Sequence, residues 1–522
     1  GNRPMKENQK HWAAVWGNAV SIGENRPESY GKNITLRYDI YIPFTGEAVR
    51  VTFDNYCGTE PITLNKVTVF YGGEFYPVYY NGSGSITIQA GERVETDPLE
   101  VSLNAFELLQ VSFYLADFTQ MRSMVFACGP LSSGSYAMGD QTYTADVDIN
   151  ISRKTHYFYF LSNVSVLTDE DNRAIVCYGD SITAQDWPDE LALRCFNEGY
   201  HSTAIIRRAT SGSRILREYR CITYESYGLQ GSNRFHHEVP TDGADVVIIQ
   251  QGINDIIHPV GRKVNVFRPM SDLPTVEQLI EGLKTYIAQA RSYGYRVYVG
   301  TLLPMGGWRT DAPFRQEMRN AYNDFIRTTD LIDGCIDFDA ALRDPENPNY
   351  FLPEYDSGDH LHPSAAGYRR MAEEIPAELL DNKIPNKKRY DEAAYDDDSQ
   401  QRNIFRTKPF QYNDMYGKSN PVRTLPKEKL SDTVFDKPKK NNWEAAVINS
   451  PSAGSTQGRT RQVSGVKPVS TPRPVNNQKP VSAPKKDISA IMTSRPKAVI
   501  KKKETPAENK PYIAKSLDGL TK

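Results

Sequence analysis

A serine in one short motif and a carboxylate and a histidine in another, about 180 residues further on, are the side chains that nucleophilic acyl transfer needs. Ser181 lies in the segment 179–183 (GDSIT), directly after an apolar run at 174–178 (AIVCY). The run predicts a buried strand, so Ser181 would lie where a strand ends and a helix begins. At such a turn the hydroxyl is exposed and the backbone NH of the serine is free, which suits a nucleophile.

The second motif, DHLHP, offers a base and a group that orients it. Asp359 and His362 are three residues apart, and Pro363 makes the chain after them rigid. The carboxylate can therefore reach one imidazole nitrogen while the other nitrogen faces Ser181. His360, which lies between the two, is interpreted as a loop or rim residue.

Two segments between these motifs can bind an oxyanion. Gly212 lies in a small-residue loop, 210–214, where a glycine lets the backbone come close and point an NH at an anion. Asn254 follows an apolar strand predicted at 246–249, at the edge where open parallel sheets bind ligands, and its amide is a second donor. Taken alone, each segment is more often an ordinary turn than part of a site.

Taken together, the four segments resemble the motifs of the SGNH (GDSL-type) hydrolases, a group of esterases and acylhydrolases with a flavodoxin-like sheet. Their order is GDSIT, the loop of Gly212, GIND at 252–255, and D-x-x-H ending at His362. The likeness covers roughly residues 11–380 and looks closest to bacterial members that carry an extra N-terminal β domain. It implies the fold of that family and the hydrolysis of carboxylic esters.

The resemblance also implies a role for each matching residue. Ser181 would be the nucleophile, His362 the general base and acid, and Asp359 the residue that orients the imidazole. The oxyanion hole would consist of the backbone NH groups of Ser181 and Gly212 and the side-chain amide of Asn254. A preorganised donor of this kind lowers the barrier by about 2.7 to 4 kcal/mol.

Outside the motifs, hydrophobic patterning divides the chain into three parts. Residues 11–165 carry short β-rich runs separated by Gly, Pro, Asn and Asp turns, which predict an all-β, jelly-roll-like sandwich. From 172 to 381, apolar strands alternate with helical stretches, which predicts a three-layer α/β domain with a parallel sheet covered on both faces. Helices are predicted at 188–197, 275–292, 314–328 and 365–380.

The third part, residues 386–522, is rich in Lys, Pro, Ser, Thr and Asn and predicts disorder, because it cannot bury enough apolar surface to offset chain entropy. It holds 28 Lys and Arg against 14 Asp and Glu, whereas residues 1–385 hold 34 against 50, so the overall net charge of -2 conceals a basic tail. Such a segment attracts polyanions. Since it lacks a folded reader or repeated aromatic and basic residues, no nucleic-acid partner is expected.

The cysteine and histidine patterns indicate neither a disulfide framework nor a metal site. The cysteines are scattered without a CxxC pair, so we expect most of them to be reduced and buried. His236, His237 and His258 have no Cys or carboxylate at a ligand-like spacing, so neither zinc nor another cofactor is expected. The cysteines are Cys57, Cys128, Cys177, Cys195, Cys221 and Cys335.

The hydropathy of the chain bears on its compartment. No run of about 18 or more apolar residues occurs, and the start of the sequence lacks the apolar stretch of a signal peptide. This favours a protein without a membrane span that stays in the cytoplasm, with secretion left open if a leader has been removed. The sequence does not indicate an oligomeric state.

The loops around the motifs are polar and aromatic rather than rich in Leu and Phe. That composition favours a sugar or a short acyl ester over a lipid, so we expect removal of a small acyl group, acetyl first, from a carbohydrate. Two alternatives stay open, a lipase or lysophospholipase-type acylhydrolase and a non-catalytic carbohydrate-binding protein. The β domain would either extend the cleft or only support the catalytic domain. The aromatic residues concerned are Trp187, Tyr219, Tyr224, Tyr227 and Trp308.

Overall fold

The computed structural model describes residues 9–22, 29–218, 228–261, 266, 269–381 and 486–487. Within these residues the chain forms a strand-rich N-terminal region and a C-terminal region in which strands alternate with helices. Nearly all of the tail that was predicted to be disordered lies outside the described residues, and so does Cys221.

The N-terminal region, called the β region below, is built from antiparallel strands. Its elements are β1 (Lys10–Gly17), β2 (Ser21–Ile22), β3 (Ser29–Gly31), β4 (Ile34–Tyr41), β5 (Gly46–Asp54), β6 (Ile62–Leu64), β7 (Lys66–Tyr71), β8 (Glu74–Pro77), β9 (Ile86–Ile88), β10 (Arg93–Glu95), β11 (Leu99–Leu103), β12 (Leu108–Leu115), β13 (Thr119–Gln120), β14 (Ser123–Phe126), β15 (Gly134–Met138), β16 (Ser152–Thr155), β17 (Tyr157–Tyr159) and β18 (Leu161–Asp169). Two sheets dominate, with strand orders β1–β18–β5–β10, where β11 also pairs with β5, and β16–β15–β4–β12–β7–β8.

The two sheets of the β region share one hydrophobic core. Along β12 every second residue, Leu109, Val111, Phe113 and Leu115, is fully buried, because successive side chains of a strand point to opposite faces. Phe113 meets Phe53 of the other sheet edge to face, with ring centroids 5.3 Å apart. The predicted β-rich N-terminal domain is therefore confirmed, and its jelly-roll connectivity stays a prediction.

The C-terminal region alternates strands with helices. Its elements are β19 (Arg173–Gly179), α1 (Ser181–Ala184), α2 (Trp187–Glu198), β20 (Thr203–Ala209), α3 (Gly231–Glu238), β21 (Ala244–Gln250), α4 (Ile253–Ile257), α5 (Val276–Ser292), β22 (Arg296–Gly300), α6 (Pro313–Thr328), β23 (Gly334–Ile336), α7 (Phe338–Leu342), β24 (Arg343–Asp344), β25 (Asn347–Phe351), α8 (Ala365–Glu374) and α9 (Ala377–Leu380), with 3-10 turns at Met270–Asp272 and Pro353–Tyr355. A last strand, β26 (Lys486–Asp487), pairs in parallel with β3.

The C-terminal region contains a parallel sheet with the strand order β20–β19–β21–β22–β23. Numbered within this region the order is 2-1-3-4-5, which is the flavodoxin-like order. Every residue of the interior strand β19 is buried, as expected for a parallel strand covered on both faces. The predicted α/β fold is confirmed. Among the described residues, no helix has both the length and the apolar character needed to cross a bilayer.

Most predicted helices form close to their predicted bounds, and local chemistry explains where they end. Helix α5 starts at a capping box in which Thr275 and Gln278 satisfy each other's backbone NH groups. The helix predicted at 365–380 is instead divided into α8 and α9, because Pro376 lacks a backbone NH and restricts the residue before it. The structure also contains α3, a helix that was not predicted.

The β region covers part of one face of the parallel sheet. Ala174, Ala204 and Ile206, from β19 and β20, belong to the hydrophobic core of the β region rather than to that of their own sheet. Small and branched apolar side chains allow the two layers to pack closely at this place. The two regions therefore share a continuous apolar contact.

Arg208, at the end of β20, joins the two regions by hydrogen bonds. Its guanidinium is buried and donates to the backbone carbonyls of Asn18, at 2.9 Å, and Ser162, at 2.5 Å. It also donates to Asn163 Oδ1 at 2.9 Å and Thr241 Oγ1 at 3.2 Å. Replacing this side chain would remove all four bonds, and among the described residues the Ser162 carbonyl would keep only the bond from the Asn18 backbone NH.

We expect Arg208→Met to destabilise the protein by about 3 kcal/mol, because each buried polar group left unsatisfied costs about 1 to 3 kcal/mol. A urea unfolding curve measures the change as a lower midpoint. The control is Arg153→Met, since Arg153 bonds to carbonyls at the surface of its own hairpin and should change stability by less than about 0.5 kcal/mol. Equal midpoints for the two variants would contradict the bridging role of Arg208.

Candidate functional site

The carboxyl ends of three adjacent strands bring the predicted site residues together. In the parallel register, Gly179 at the end of β19 lies opposite Ala209 of β20 and Gln250 of β21. The backbone NH of Thr210 donates to the Gly179 carbonyl at 3.1 Å, so the loops that leave the strands start side by side. Ser181, at the start of α1, Gly212, in a loop, and Asn254, in α4, follow these three strand ends. The edge at which they meet is the one where open α/β sheets bind ligands.

Ser181 is the first residue of the short helix α1, and its side chain is nearly buried, with the residue 4% exposed. Asp180 caps this helix by accepting a hydrogen bond from the Ile182 backbone NH at 3.0 Å. Burial raises the pKa of Asp180 to about 7. The strand, the cap and the helix together hold the serine at a sharp turn.

Arg207 holds the other end of α1. Its guanidinium donates to the carbonyls of Thr183, at 3.0 Å, and Gln185, at 2.7 Å, which are two of the groups that a helix end leaves without partners. The same side chain donates to Ser132 Oγ of the β region at 2.7 Å. Sequence reasoning did not identify Arg207, because no local pattern marks an arginine in a strand as the cap of a neighbouring helix.

Ser181, His362 and Asp359 form a continuous hydrogen-bonded chain. Ser181 Oγ lies 2.9 Å from His362 Nε2, and His362 Nδ1 lies 2.6 Å from Asp359 Oδ2. The other carboxylate oxygen of Asp359 accepts from the backbone NH groups of Leu361 and His362, each at 2.8 Å, and from Ser357 Oγ at 3.0 Å. The carboxylate is fixed by its own loop, and the imidazole is fixed by the carboxylate.

Burial and charge act in opposite directions on this pair. Burial favours the neutral acid, but the attraction of His362 and the hydrogen bonds outweigh it, and the pKa of Asp359 is lowered. For His362 burial favours the neutral imidazole, but the Asp359 carboxylate outweighs it, so the pKa of His362 is raised above 6.5. The arrangement thus stabilises an imidazolium, the form that exists after the histidine has taken a proton.

Gly212 and Asn254 follow β20 and β21, the two strands that flank β19. Gly212 has φ +76°, a backbone conformation that glycine adopts without strain. Asn254 is buried, and its side-chain Nδ2 donates to the Ser213 carbonyl at 3.1 Å. An amide group carries two hydrogens, so this bond fixes the side chain while the second hydrogen stays available.

Asp255, to which the sequence pattern gave no role, fixes the backbone that directly follows the loop of Gly212. Its carboxylate accepts from the backbone NH groups of Ile215, at 2.9 Å, and Leu216, at 3.1 Å. Burial raises the pKa of Asp255 to about 6. The signal that would have identified it is its position directly after Asn254, where one turn presents two side chains to the neighbouring loop.

The aromatic residues expected to line the site are placed differently. Trp187 is fully buried and packs on Phe338, so it belongs to the core and not to a surface loop. The reason is that helix α2 begins at Trp187 and turns this side chain to its buried face. Trp308 is also a core residue, at 5% exposed. Tyr219, Tyr224 and Tyr227 lie outside the described residues.

The histidines that are not part of the hydrogen-bonded chain of Ser181, His362 and Asp359 have other partners. His360 has φ +67° and an exposed ring that bonds Asp356 Oδ2 at 2.6 Å, so it is a loop residue as expected. His237 contacts the β region instead of a metal site, through Asp54. Within the part of the chain that the structure describes, no group of three or more His, Cys, Asp or Glu side chains is arranged to hold a metal ion.

Comparison with known proteins finds a family model that matches most of the C-terminal region. Residues 177–370 match the model of the GDSL-like Lipase/Acylhydrolase family. Among solved structures, this chain is similar to a GDSL-like lipase from Bacteroides thetaiotaomicron, with 18% identity, 41% of this chain and 89% of that chain covered, and a TM-score of 0.30. A lipase/acylhydrolase from Enterococcus faecalis is 22% identical, with 40% and 95% covered and a TM-score of 0.29. An acetylxylan esterase from Geobacillus stearothermophilus is 17% identical, with 41% and 95% covered and a TM-score of 0.29. A comparison with curated proteins finds no match.

The geometry of the site predicts how His362 titrates. We expect its pKa to lie above 6.5 in the wild type and to fall in Asp359→Asn, because the amide removes the charge that opposes the effect of burial. An NMR titration of the imidazole signals measures both values.

The control for this titration is Asp324→Asn, which removes a carboxylate that is exposed on α6. This variant should leave the pKa of His362 unchanged, since an exposed charge is screened by solvent. An unchanged pKa in Asp359→Asn as well would contradict the electrostatic role given to Asp359.

Proposed function

We propose that this chain, whose residues 177–370 carry a GDSL-like lipase/acylhydrolase domain, is a serine esterase. In this proposal Ser181 is the nucleophile, His362 is the general base and acid, and Asp359 orients the imidazole. The observation that carries the proposal is the hydrogen-bonded chain from Ser181 Oγ through His362, with links of 2.9 and 2.6 Å. The first link is short enough for proton transfer between Ser181 Oγ and His362 Nε2, and the second holds the imidazole in one orientation.

The first half of the reaction forms an acyl-enzyme. Ser181 Oγ attacks the ester carbonyl while its proton passes to His362 Nε2, and the carbonyl π electrons move onto the oxygen. The tetrahedral intermediate then collapses, the bond to the alcohol oxygen breaks, and the imidazolium returns the proton to the leaving alcohol. Asp359 stays ionised throughout and stabilises the imidazolium.

The second half repeats these steps with water. His362 takes a proton from the water, the hydroxide oxygen attacks the acyl carbon, and the bond to Ser181 Oγ breaks as the serine regains a proton. In both halves the negative oxygen is held by the backbone NH groups of Ser181 and Gly212 and by Asn254 Nδ2. The bond from Asn254 to the Ser213 carbonyl supports this assignment, because it orients the amide before substrate binds.

The substrate that we propose is a short acyl ester of a polar alcohol, with acetyl esters of carbohydrates as the first candidates. The side chains at the strand ends around Ser181 are polar rather than apolar, among them Thr210, Ser211, Gln250 and Gln251, and all four are buried. Polar surroundings of this kind favour a polar alcohol over a lipid. Two of the aromatic residues expected in loops around the motifs, Trp187 and Trp308, do not support this proposal, since they are core residues.

We expect the purified chain to hydrolyse p-nitrophenyl acetate and Ser181→Ala to lose turnover, because no other nucleophile is hydrogen-bonded to His362 Nε2 among the described residues. Asn254→Ala should lower kcat by about 10²- to 10³-fold with a small change in KM, as expected when one oxyanion donor is removed. Initial rates at several substrate concentrations separate the two constants. An inactive wild type over a broad pH range would refute the esterase.

The acyl group is tested with a series of esters. We expect acetyl esters to be turned over faster than butyryl and octanoyl esters, and acetate to be released from acetylated oligosaccharides and polysaccharides. Acetate released is the readout for the sugars, with Ser181→Ala as the control for spontaneous loss. A preference for octanoyl esters would favour the lipase-type alternative instead.

A further inference from the structure

Helix α3 lies against the loop that carries Gly212 and is bonded to it at three places. The backbone NH groups of Gly231 and Ser232 donate to the carbonyls of Arg214, at 2.7 Å, and Ile215, at 3.3 Å. The third bond runs from the Arg234 side chain to Ser213, the residue directly after Gly212. The start of α3 therefore sets the path of the loop on which one proposed oxyanion donor lies.

Arg234 fixes Ser213, the residue that follows Gly212. It is 1% exposed and donates through Nη1 to Ser213 Oγ at 3.0 Å. Gln251 Nε2 donates to the same hydroxyl at 2.9 Å, and Tyr286 OH donates to Gln251 Oε1 at 2.6 Å. The carbonyl of Ser213 is in turn the acceptor for Asn254 Nδ2 at 3.1 Å. One side chain on α3 is thus connected to both proposed donors outside Ser181.

The charge of Arg234 is balanced on its own helix. Its Nη2 lies 2.6 Å from Glu238 Oε2, and both side chains are buried. A buried ion pair contributes little net stability, because removing two charges from water costs about as much as their attraction returns. Its effect is instead directional, since the carboxylate holds the guanidinium in one orientation toward Ser213.

The far end of α3 is anchored in the β region. His237 Nε2 donates to Asp54 Oδ2 at 2.7 Å, and the ring stacks on Tyr56 with centroids 3.7 Å apart. Asp54 Oδ1 accepts from the Tyr56 backbone NH at 2.8 Å, so this acceptor is itself held in place. Arg93 Nη1 donates to the His237 carbonyl at 2.8 Å, at the end of the helix where a cation is favourable.

We propose that α3 is a strut between the β region and the oxyanion loop, so that Asp54, His237 and Arg234 are positioning residues for ester hydrolysis. The inference rests on the proposed function, because the groups that the strut holds in place are the oxyanion donors proposed there, the Gly212 backbone NH and the Asn254 amide. It therefore gives the β region a role in the rate of turnover, in addition to supporting the catalytic region or binding substrate. Displacing donors by a fraction of an ångström lowers kcat and leaves KM nearly unchanged, since these donors act on the transition state.

The test compares variants at the two ends of the strut. Asp54→Ala removes the acceptor for His237 and for the Tyr56 NH, and we expect kcat for p-nitrophenyl acetate to fall about fivefold with KM within about twofold. Asp54→Asn keeps an acceptor for the Tyr56 NH, and its amide can donate to His237 Nε2 only when the ring proton lies on Nδ1, so it should restore part of the lost turnover. Ser213→Ala removes the hydroxyl that Arg234 and Gln251 share and should lower kcat about tenfold.

The double variant Asp54→Ala/Ser213→Ala distinguishes a strut from two separate effects. If both changes act through α3, kcat should fall by about tenfold, close to the larger single effect, whereas independent effects would multiply to about fiftyfold. Thermal unfolding of each variant verifies that the protein is folded at the assay temperature.

The matched control is Asp242→Ala. Asp242 also joins the two regions, accepting from Arg50 Nη2 at 3.0 Å and Ser165 Oγ at 2.9 Å, but it is not part of α3. We expect its kcat to equal that of the wild type. If the wild type is active, an unchanged kcat in folded Asp54→Ala overturns the strut alone. Single effects that multiply in the double variant do the same. An inactive wild type overturns the proposed function and the strut together.

Discussion

Parallel strands that end level with one another confine everything that follows them to one edge of a sheet. In this protein Gly179, Ala209 and Gln250 are level in the register of three adjacent strands. The segments that follow the three strands therefore start at one edge of the sheet. The last loop, with Asp359 and His362, contacts them at Ser181. If the register of β19 shifted by one residue, the side chains of the strand would exchange faces and Ser181 would leave the imidazole.

Three buried carboxylates near this edge, and a fourth at the far end of α3, have different roles because their surroundings differ. Asp359 faces a histidine and several donors, which keep it ionised although it is buried. Asp180 and Asp255 hold backbone NH groups with fewer balancing charges, and burial raises the pKa of both. Asp54 contacts a histidine of the neighbouring region. An aspartate side chain thus partners a histidine, caps a helix, supports a loop or joins two regions, depending on its surroundings.

The β region and the α/β region are joined at the elements that carry the site. Arg207 holds α1, the helix that begins at Ser181, and also bonds Ser132 of the β region. Arg208, its neighbour in β20, points to the other face of the strand and bonds the β region at Asn18 and Ser162. Successive residues of one strand therefore serve two layers, which is a consequence of the alternation of side chains. The contact is polar at its ends and apolar in its centre.

By itself the sequence determined the order of the motifs, the class of each region and most of the helices. These features depend on short spacings: alternation in strands, the period of a helix, the three-residue step from Asp359 to His362. The same local information predicted which residues would gather around Ser181. It fails where a local rule has exceptions: Trp187, expected in a loop around the motifs, is a core residue, and Pro376 divides the helix predicted at 365–380.

Only the tertiary structure decided the supports of the site. Arg234 reaches Ser213 across 21 residues of chain, and His237 reaches Asp54 across 183. No periodicity or motif connects such positions, because the contact exists only after two layers have packed. The sequence thus specified the groups that could react, and the packing of the β region against the sheet specified how firmly, and in which orientation, those groups are held.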